Sequence, residues 1–385
     1  MYPTISDLLQ DFFGFYLPLP IQTFGFMLAV SFLCAAYTLR LELMRKEGLG
    51  LLRSVEVKTI VGKAATPVDL LISFLSGFVV GYKLVYMFAN YSEFVNDTQG
   101  VLLSMKGSLP GGLVLGVVFA YMRYRESEKH KLATPKTEVQ QLHPHELVGN
   151  ITMVAALSGI LGAKIFHNLE NLDELAADPI GSLLSFSGLT MYGGLIVGAA
   201  TVMWYGRKQG IQPLMLADAT APGLMLAYGT GRLGCQLSGD GDWGIVNMNV
   251  KPDWLSWLPD WAWAYNYPNN VISEGIPIPG CTGHHCMMLP DAVFPTPLYE
   301  AVACIGLFFL IWAVRKNFNV TGKVFALYLL LNGIERLAIE QIRVNNEFSL
   351  LGMMVTQAEV IAVVLIVLGT AGLLLLKKKD APLLV

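Results

Sequence analysis

The chain has 385 residues, of which 54% are hydrophobic and only 14% are charged, and its formal net charge is −3 at pH 7. A soluble globular domain carries about 25% charged residues. The composition therefore excludes an ordinary soluble protein and indicates a membrane protein that crosses the bilayer several times.

Nine apolar stretches approach the roughly 20 residues that a helix needs to cross a bilayer. They begin close to Leu19, Val68, Leu109, Leu147, Gly188, Leu214, Pro297, Val324 and Ala358. The predicted fold is all-α, a polytopic bundle of about nine transmembrane helices.

Lysine and arginine orient this topology, because short cytoplasmic loops carry the excess of positive charge. With the N-terminus outside and the C-terminus in the cytoplasm, most of the 26 basic residues fall in inner segments, and the outer loops hold only Lys106 and Lys251. Residues 1–39 contain no basic residue, so they lack the charged start of a cleavable signal peptide. We expect the first span to remain as an anchor.

Two segments read as copies of one another. "LSGFVVGYKLVYMF" with "GSLPGGLVLGVVFAYMRYR" matches "LSGILGAKIFHNL" with "SGLTMYGGLIVGAATVMWYGRK", and each forms a predicted hairpin with Gly-Gly opening its second span. Small residues let membrane helices approach closely, so we interpret Gly111, Gly112 and Gly198 as packing residues. The expected organisation is 1–66 (outer segment, first span and inner loop), 67–144 (hairpin and inner loop), 145–232 (core spans), 233–295 (outer loop) and 296–385 (last spans and basic tail).

The inner loops at 40–66 and 126–146 look like solvated connections. His130, His143 and His145 lie in the second loop without a convincing metal-ligand spacing, and we predict no chemistry for them.

The outer loop holds five of the seven tryptophans, namely Trp243, Trp254, Trp257, Trp261 and Trp263. Tryptophan favours the membrane interface. Two interpretations remain, namely an aromatic belt and a surface that binds lipid or an apolar peptide. The same loop contains "CTGHHC", which permits a disulfide between Cys281 and Cys286, a plain loop, or a metal site.

Five basic residues fall within spans or at their outer ends: Lys83, Lys164, Arg232, Arg336 and Arg343. A charge at mid-bilayer costs about 2.5–3.5 kcal/mol on insertion scales. The two lysines can extend to the interface, whereas Arg232 and Arg336 require partners or a polar cavity.

Three motifs converge on the outer half of the membrane in this topology: "GRLGCQLSGDGDWG", "FPTPLYE" and "NGIERLAIEQIR". Arg336, Glu340 and Arg343 share one helix face. Guanidinium groups bind phosphate through paired hydrogen bonds, so the motifs favour a phospholipid site over a purely structural ion-pair network. We expect no matching charged set at the inner ends, which argues against a transporter.

These motifs resemble those of the prolipoprotein diacylglyceryl transferase family of bacterial inner-membrane enzymes. The family signature Gly-Arg-x-Gly-Asn-Phe-x-Asn-Gly-Glu, ending in Gly, is matched at Gly231, Arg232, Gly234, Gly239 and Gly244. Cys235 and Ser238 replace its asparagines, and Asp240 or Asp242 replaces its glutamate. "FPTPLYE" keeps Pro295, Leu298, Tyr299 and Glu300 of a second motif, Arg336, Glu340 and Arg343 match a third, and Gln357 also fits.

The resemblance covers most of the chain. Because the family core has seven spans, it implies that the hairpin at about 68–123 is an addition. The family transfers the diacylglyceryl group from phosphatidylglycerol to the lipobox cysteine thiol of a prolipoprotein, which forms a thioether and releases glycerol phosphate.

The resemblance also implies the partners and the location. The expected partners are phosphatidylglycerol, prolipoprotein signal peptides and the bilayer, with no nucleic acid, and the chemistry requires no metal and no organic cofactor. The expected location is the bacterial inner membrane, with the active site toward the periplasm. A transporter and a phospholipid-binding protein without turnover are the alternative functions.

The expected site follows from the matched positions. Arg232 and Arg336 would clamp the phosphate with help from Arg343, and Glu340 would hold Arg336. Asp240 or Asp242 would orient Arg232 or bind the glycerol of the headgroup. Further substrate contacts are expected from Gly193, Gly194, Tyr299 and Glu300.

One departure concerns the catalytic base. The family's His-Gly-Gly-Leu reads Tyr192-Gly193-Gly194-Leu195 here, and a tyrosine hydroxyl in water titrates near pH 10, too high for an efficient base. We hypothesise that His167, near the outer end of the fourth span, takes the thiol proton, and that Tyr192 hydrogen-bonds the substrate.

Overall fold

The structure, a computed structural model, describes residues 1–96, 98–132, 134, 136–184, 188, 190–345, 347–350 and 353–377. The helices within these residues are α1 (Ile5–Phe13), α2 (Thr23–Gly48), α3 (Pro67–Ala89), α4 (Tyr91–Asn96), α5 (Thr98–Leu103), α6 (Leu109–Lys129), α7 (Val148–Glu170), α8 (Leu172–Ala177), α9 (Pro179–Leu184), α10 (Met191–Lys208), α11 (Pro213–Ser238), α12 (Thr296–Val314), α13 (Lys323–Glu340) and α14 (Gln357–Leu375). The strands are β1 (Val55–Val61), β2 (Lys136–Leu142), β3 (Ile276–Pro277), β4 (Met287–Met288), β5 (Glu347–Leu350) and β6 (Met353–Thr356).

A long helix begins close to each of the predicted span starts, so the mostly helical fold is confirmed. Five stretches in the described part of the chain are long and apolar enough to cross a membrane: Thr23–Gly48, Pro67–Ala89, Pro144–Glu170, Thr296–Asn317 and Gln357–Leu375. The helices α6, α10, α11 and α13 stand at the other four positions. That all nine cross the bilayer stays a prediction.

Local sequence signals set the ends of these helices. Thr66 caps α3 and Thr356 caps α14, each in a reciprocal box with an acidic residue three positions later. Pro213 opens α11, where a missing N–H costs nothing, and Gly239 ends it in the left-handed conformation with φ of 65°. The end of α11 is therefore fixed just beyond Arg232.

The core is built around α11, which packs against α2, α12 and α13, while α13 packs against α14. One buried apolar cluster, which includes Leu43, Ile151 and Leu216, joins α2, α7 and α11. Another, which includes Met225 and Ile311, joins α11 to α12 and α13. These contacts pack α11, α12 and α13 side by side, which brings their opposite ends, with Arg232, Glu300 and Arg336, close to one another.

The two predicted hairpin copies have the same order of elements. A long helix, two six-residue helices and a second long helix occur as α3 to α6 and again as α7 to α10. A Cβ atom at Gly81 would collide with the backbone oxygen of Gly111, and one at Gly162 would lie 2.5 Å from that of Gly193. The glycines therefore serve close helix packing, as predicted for Gly111.

The inner loops contain a structure that the sequence reading missed. β1 and β2 pair antiparallel, with Val55 opposite Leu142 and Val61 opposite Lys136. The prediction of plain connections is wrong for these residues. The pairing gives no local signal in the sequence, because the two strands are short and lie far apart along the chain. The ribbon joins the entry and the exit of the α3–α6 hairpin.

The outer loop has a small core of its own, which Trp243 and Tyr267 form with ring centroids 5.0 Å apart. Trp254 and Trp257 are exposed. Cys281 and Cys286 form a disulfide, one of the alternatives that the sequence left open. The amino group of Met1 donates to Pro268 O at 2.7 Å, so the N-terminus lies on the same side as this loop.

Candidate active site

Backbone hydrogen bonds join the three predicted motifs. After α11 the chain turns back through Gly239 and Gly241, both with positive φ, and Gly244 N then donates to Phe294 O at 2.9 Å. Ile245 N donates to Ile342 O at 2.9 Å. A Cβ at Gly244 would collide with Ile342 O, so glycine is needed for this close approach.

Glu300, at the start of α12, is the centre of the site. Its side chain is fully buried (0% exposed), and Oε2 lies 2.6 Å from Nε of Arg232. Oε1 lies 3.0 Å from Nη1 of Arg336 and 3.4 Å from Nη1 of Arg343. The Tyr228 hydroxyl also donates to Oε1 at 3.4 Å. One carboxylate thus draws together arginines from α11, α13 and the segment after α13.

Asp242 bridges Arg232 and Arg343 from the outer side, with one oxygen on each guanidinium. Burial raises the pKa of this carboxyl, but the two arginines outweigh burial and hold the pKa below its usual value. Of the alternatives that the sequence left open, Asp242 rather than Asp240 is the partner of Arg232.

Glu340 supports Arg336, whose Nη2 lies 3.0 Å from Glu340 Oε2. The other oxygen of Glu340 accepts from Asn345 Nδ2 and from Thr356 Oγ1, each at 2.6 Å. Thr356 is the cap of α14. The start of α14 therefore holds the carboxylate of Glu340, and this carboxylate in turn holds Arg336. This predicted pairing is present in the structure.

Three arginines and three carboxylates therefore alternate in one cluster, and each arginine contacts two carboxylates. The side chains of Glu300 and Glu340 are 0% exposed, whereas that of Asp242 is 34% exposed. Guanidinium groups bind phosphate well. If the Asp242 side chain moved away, Arg232 and Arg343 would therefore form a ready-made site for an anion.

Asp240 and Cys235 lie behind Asp242. Burial raises the pKa of Asp240, and Cys235 Sγ is 3.9 Å from Nη1 of Arg232. Cys235, Asp240 and Asp242 offer possible ligand atoms within 4.8 Å of one another. The positive charges of Arg232 and Arg343, both paired with Asp242, would repel a metal cation at this position.

The substrate contact expected of Tyr299 stays a prediction. Its hydroxyl donates to Ala262 O at 3.0 Å, so it anchors the outer loop above α12.

His167, Tyr192, Gly193 and Gly194 lie at the outer ends of α7 and α10, whereas the arginines are carried by α11, α13 and the segment that follows. His167 Nδ1 is 3.2 Å from Asn171 Nδ2, and its ring closely approaches Gly188. A Cβ at Gly193 would meet Phe166, and one at Gly194 would lie 3.0 Å from Gly159 O. The structure thus gives both glycines a packing role against α7.

Two residues of the cluster were missed by sequence reasoning. The ring of Tyr228 lies one helical turn before Arg232, whose guanidinium carbon is 5.3 Å from its centroid. Glu335 is buried, and neither of its carboxylate oxygens has a hydrogen-bond partner among the described residues. Two signals in the sequence could have found them. Tyr228 is four positions before Arg232 and so shares its helix face, and Glu335 is a charged residue within a predicted span.

The expectation of no charged set at the inner ends is wrong. Buried Glu42 lies 2.8 Å from Arg45 Nη2 and also pairs with Arg315. Asp218 accepts from the backbone of Gly322 at 2.6 Å and of Phe325 at 2.9 Å. These contacts tie the inner ends of α2, α11, α12 and α13 together, which is a structural role.

Comparison with known proteins adds independent information. The family model described as prolipoprotein diacylglyceryl transferase matches residues 112–375, which contain the whole arginine cluster. A phosphatidylglycerol–prolipoprotein diacylglyceryl transferase of Dehalococcoides mccartyi is 28% identical over 239 residues, 61% of this chain and 79% of the relative. One of Corynebacterium efficiens is 32% identical over 242 residues, 62% of this chain and 70% of the relative.

Proposed function

The chain belongs to the prolipoprotein diacylglyceryl transferase family, and on that basis we propose that it transfers the diacylglyceryl group of phosphatidylglycerol to the lipobox cysteine thiol of a prolipoprotein. The sulfur forms a bond to the glyceryl carbon, the bond from that carbon to the phosphate oxygen breaks, and glycerol phosphate leaves. The thiol proton passes to a base. The product is a thioether.

The arginine cluster is the observation that carries this proposal. Sulfur must displace a phosphate ester from an unactivated carbon, so negative charge develops on the leaving phosphate. Preorganised guanidinium groups in a site shielded from water stabilise such charge far better than water does. Glu300 and Glu340 hold the arginines in place before substrate arrives, so little reorganisation is required.

Asp242 occupies the position that the phosphate would take. Its two oxygens reach Arg232 and Arg343 as two phosphate oxygens would. It is the most exposed of the three carboxylates, and it follows Gly239 and Gly241, whose positive φ values mark a tight turn. We infer that phosphatidylglycerol displaces Asp242 and lies against Arg232, Arg336 and Arg343, while Asp240 or the displaced Asp242 binds the headgroup glycerol.

The thiol proton requires an acceptor, and Tyr192 at the start of α10 occupies the position of the family's histidine. We infer that His167 accepts it and that Tyr192 hydrogen-bonds the substrate. An imidazole is suited to proton transfer near neutral pH, and both side chains stand on neighbouring helices at the outer level. The comparison of His167→Gln with Tyr192→Phe tests this assignment, because transfer at the wild-type rate in the His167→Gln variant contradicts it.

The outer side of the nine-span topology would face the periplasm of a bacterial inner membrane. The Cys281–Cys286 disulfide supports this side, because disulfides persist in oxidising compartments. Exposed Trp254 and Trp257 suit the membrane interface, where a signal peptide and a lipid both arrive.

The deciding experiment is an assay of the purified protein with phosphatidylglycerol and a lipobox peptide, in which both lipidated peptide and glycerol phosphate are measured. We expect both products in equal amounts from the wild type. Arg232→Lys keeps the charge but loses the planar fork, and we expect it to reduce transfer by about 100-fold or more, as removal of one transition-state donor does.

Arg315→Lys is the matched control, because Arg315 is also a buried, ion-paired arginine but lies at the inner end. It should retain near wild-type transfer. Binding of phosphatidylglycerol without either product would favour a lipid-binding protein without turnover. Lipid movement between leaflets without products would favour a transporter.

A further inference from the structure

Two histidines and a glutamate meet at the inner end of the molecule, away from the arginine cluster. Glu47 is in the last turn of α2, and His143 and His145 flank Pro144 just before α7. His143 Nδ1 lies 2.6 Å from Glu47 Oε1, and His145 Nδ1 lies 3.3 Å from Glu47 Oε2. The histidines are almost a hundred positions from Glu47 in the chain, so the fold brings these groups together.

We propose that Glu47, His143 and His145 form a binding site for a divalent transition metal ion of the zinc class. The proposal is independent of the transferase function, because none of the three residues touches the arginine cluster described above.

The donor set fits such an ion. Two imidazole nitrogens and one carboxylate are the protein ligands of a well-known class of zinc sites that keep one position open, and imidazole nitrogen prefers zinc, nickel, copper and iron over magnesium and calcium. One ligand atom from each residue is available, and the three atoms lie within 4.8 Å of one another.

The distances require little movement. Ligand atoms about 2.0–2.1 Å from a tetrahedral zinc ion are about 3.3 Å apart. His145 Nδ1 already has this separation from Glu47 Oε2. His143 needs to withdraw only slightly from Glu47 Oε1, and it lies on a partly exposed loop that can allow this shift.

A cavity adjoins one of the three proposed ligands. A cavity of about 510 Å³ is lined by His145 together with Arg40, Glu146, Leu33, Ala36 and Tyr37. Water or a small anionic ligand that reached the metal from this cavity would lie near the guanidinium of Arg40. The cavity therefore suits a metal with one exchangeable position better than a closed structural site.

The test uses the full-length protein in detergent with an affinity tag that contains no histidine. After removal of metals with a chelator and exchange into buffer, the protein is titrated with Zn²⁺ by calorimetry, and bound zinc is counted by elemental analysis. Co²⁺ is added in a parallel titration, because its visible absorption reports tetrahedral nitrogen and oxygen coordination. We expect one tightly bound ion, and a rise in melting temperature that depends on the metal concentration.

The variant His143→Ala/His145→Ala should weaken zinc binding by at least the roughly 100-fold that loss of a supporting partner can cost. Glu47→Gln should weaken binding as well, and it removes one ligand with minimal change in shape if the double variant folds poorly. The matched control is His284→Ala/His285→Ala, which removes two adjacent histidines from the outer loop and should keep the site. Wild-type protein without a stoichiometric ion, or unchanged affinity in both inner variants, would overturn the proposal and leave a proton-linked His143–Glu47 pair.

Discussion

Glu300 is the residue on which the geometry of all three arginines depends. It is fully buried and contacts Arg232, Arg336 and Arg343 at once. Removal of one partner from a buried ion pair costs more than the pair contributes, because it leaves a buried charge without compensation.

Glu300→Gln keeps the shape but removes the charge. We expect the free energy of unfolding to fall by about 3–5 kcal/mol, and transfer activity to be lost even at temperatures where the variant stays folded. Thermal unfolding in detergent and the transfer assay measure the two effects. Glu138→Gln at an exposed position of β2 is the control, and a Glu300→Gln variant with wild-type stability would contradict this role of Glu300.

Asp242 predicts a specific pH dependence. Its pKa in the folded protein is lower than in the unfolded chain, so the ionised form stabilises the fold above the ordinary aspartate pKa of about 3.9. That stabilisation is lost as the pH falls through the lower folded-state pKa. The melting temperature of Asp242→Asn should therefore lie below that of the wild type at neutral pH, and the difference should shrink as the pH falls below about 4.

Because Asp242 competes with the phosphate in our proposal, the same variant should bind phosphatidylglycerol more tightly at neutral pH. The wild type and Asp242→Asn are compared by lipid titration at one ionic strength. A constant difference in melting temperature across the pH range would contradict the linkage, and weaker lipid binding would contradict the competition.

At the residue scale, local periodicity predicted one pairing well. Arg336 and Glu340 are four positions apart, so any helix brings them together. The role of Glu300 as the shared partner depends on three helices meeting and could not be read from spacing. The proton acceptor is the least predictable residue, because Tyr192 breaks the family pattern and His167 is proposed only from its position along the fourth span and from the proton chemistry of imidazole.

At the element scale, the β1–β2 ribbon isolates one hairpin from the rest. The chain enters the α3–α6 hairpin after Val61 and leaves it before Lys136, and these two residues are paired. The helices α3 and α6 pack chiefly against each other. The hairpin therefore resembles an insertion on a two-stranded stem.

Replacement of residues 62–135 by Asn-Gly should close the stem with a two-residue turn. We expect the shortened protein to insert, to melt within a few degrees of the wild type and to keep its transfer activity, since the arginine cluster lies outside the removed segment. Removal of the second copy, α7 to α10, is the contrasting deletion. Its Ile151 and Val202 belong to a core cluster shared with α2 and α11, so that protein should fail to accumulate. Failure of both deletions would contradict the insertion.

The sequence predicted the long helices because each carries an apolar stretch within its own sequence, and α3 and α14 also carry capping boxes. The ribbon and the folded outer loop escaped prediction, because their stability comes from partners such as Val55 with Leu142 and Trp243 with Tyr267, which lie far apart in the sequence.

At the scale of the whole molecule, charged clusters mark two levels. The outer level contains Glu300 and its arginines, and the inner level contains Glu42 with Arg315. Met1 contacts Pro268 in the same loop that carries the Cys281–Cys286 disulfide. That the two levels face opposite sides of a membrane stays a prediction from the distribution of basic residues. That distribution did not predict the pair of Glu42 with Arg315, because the two residues come from α2 and the end of α12.

The topology is tested with single cysteines and a membrane-impermeant maleimide in intact spheroplasts. Trp254→Cys in the outer loop should react, and Gln140→Cys in β2 should react only after permeabilisation. The wild type, whose free cysteines Cys34, Cys235 and Cys304 lie within helices, sets the background. The reverse labelling pattern would contradict the proposed orientation.

The arrangement of the arginine cluster also has a consequence for synthesis. Arg232 leaves the ribosome about 70 residues before Glu300, which at about 5–20 residues per second corresponds to roughly 4–14 seconds. During that interval α11 holds an arginine that has Asp242 but lacks Glu300, its fully buried partner, so an early-inserted helix waits with an incompletely compensated charge. Biogenesis of this protein should therefore depend on an insertase or on a translocon that retains α11 until α12 arrives, and a pause in translation between these helices should lower the yield.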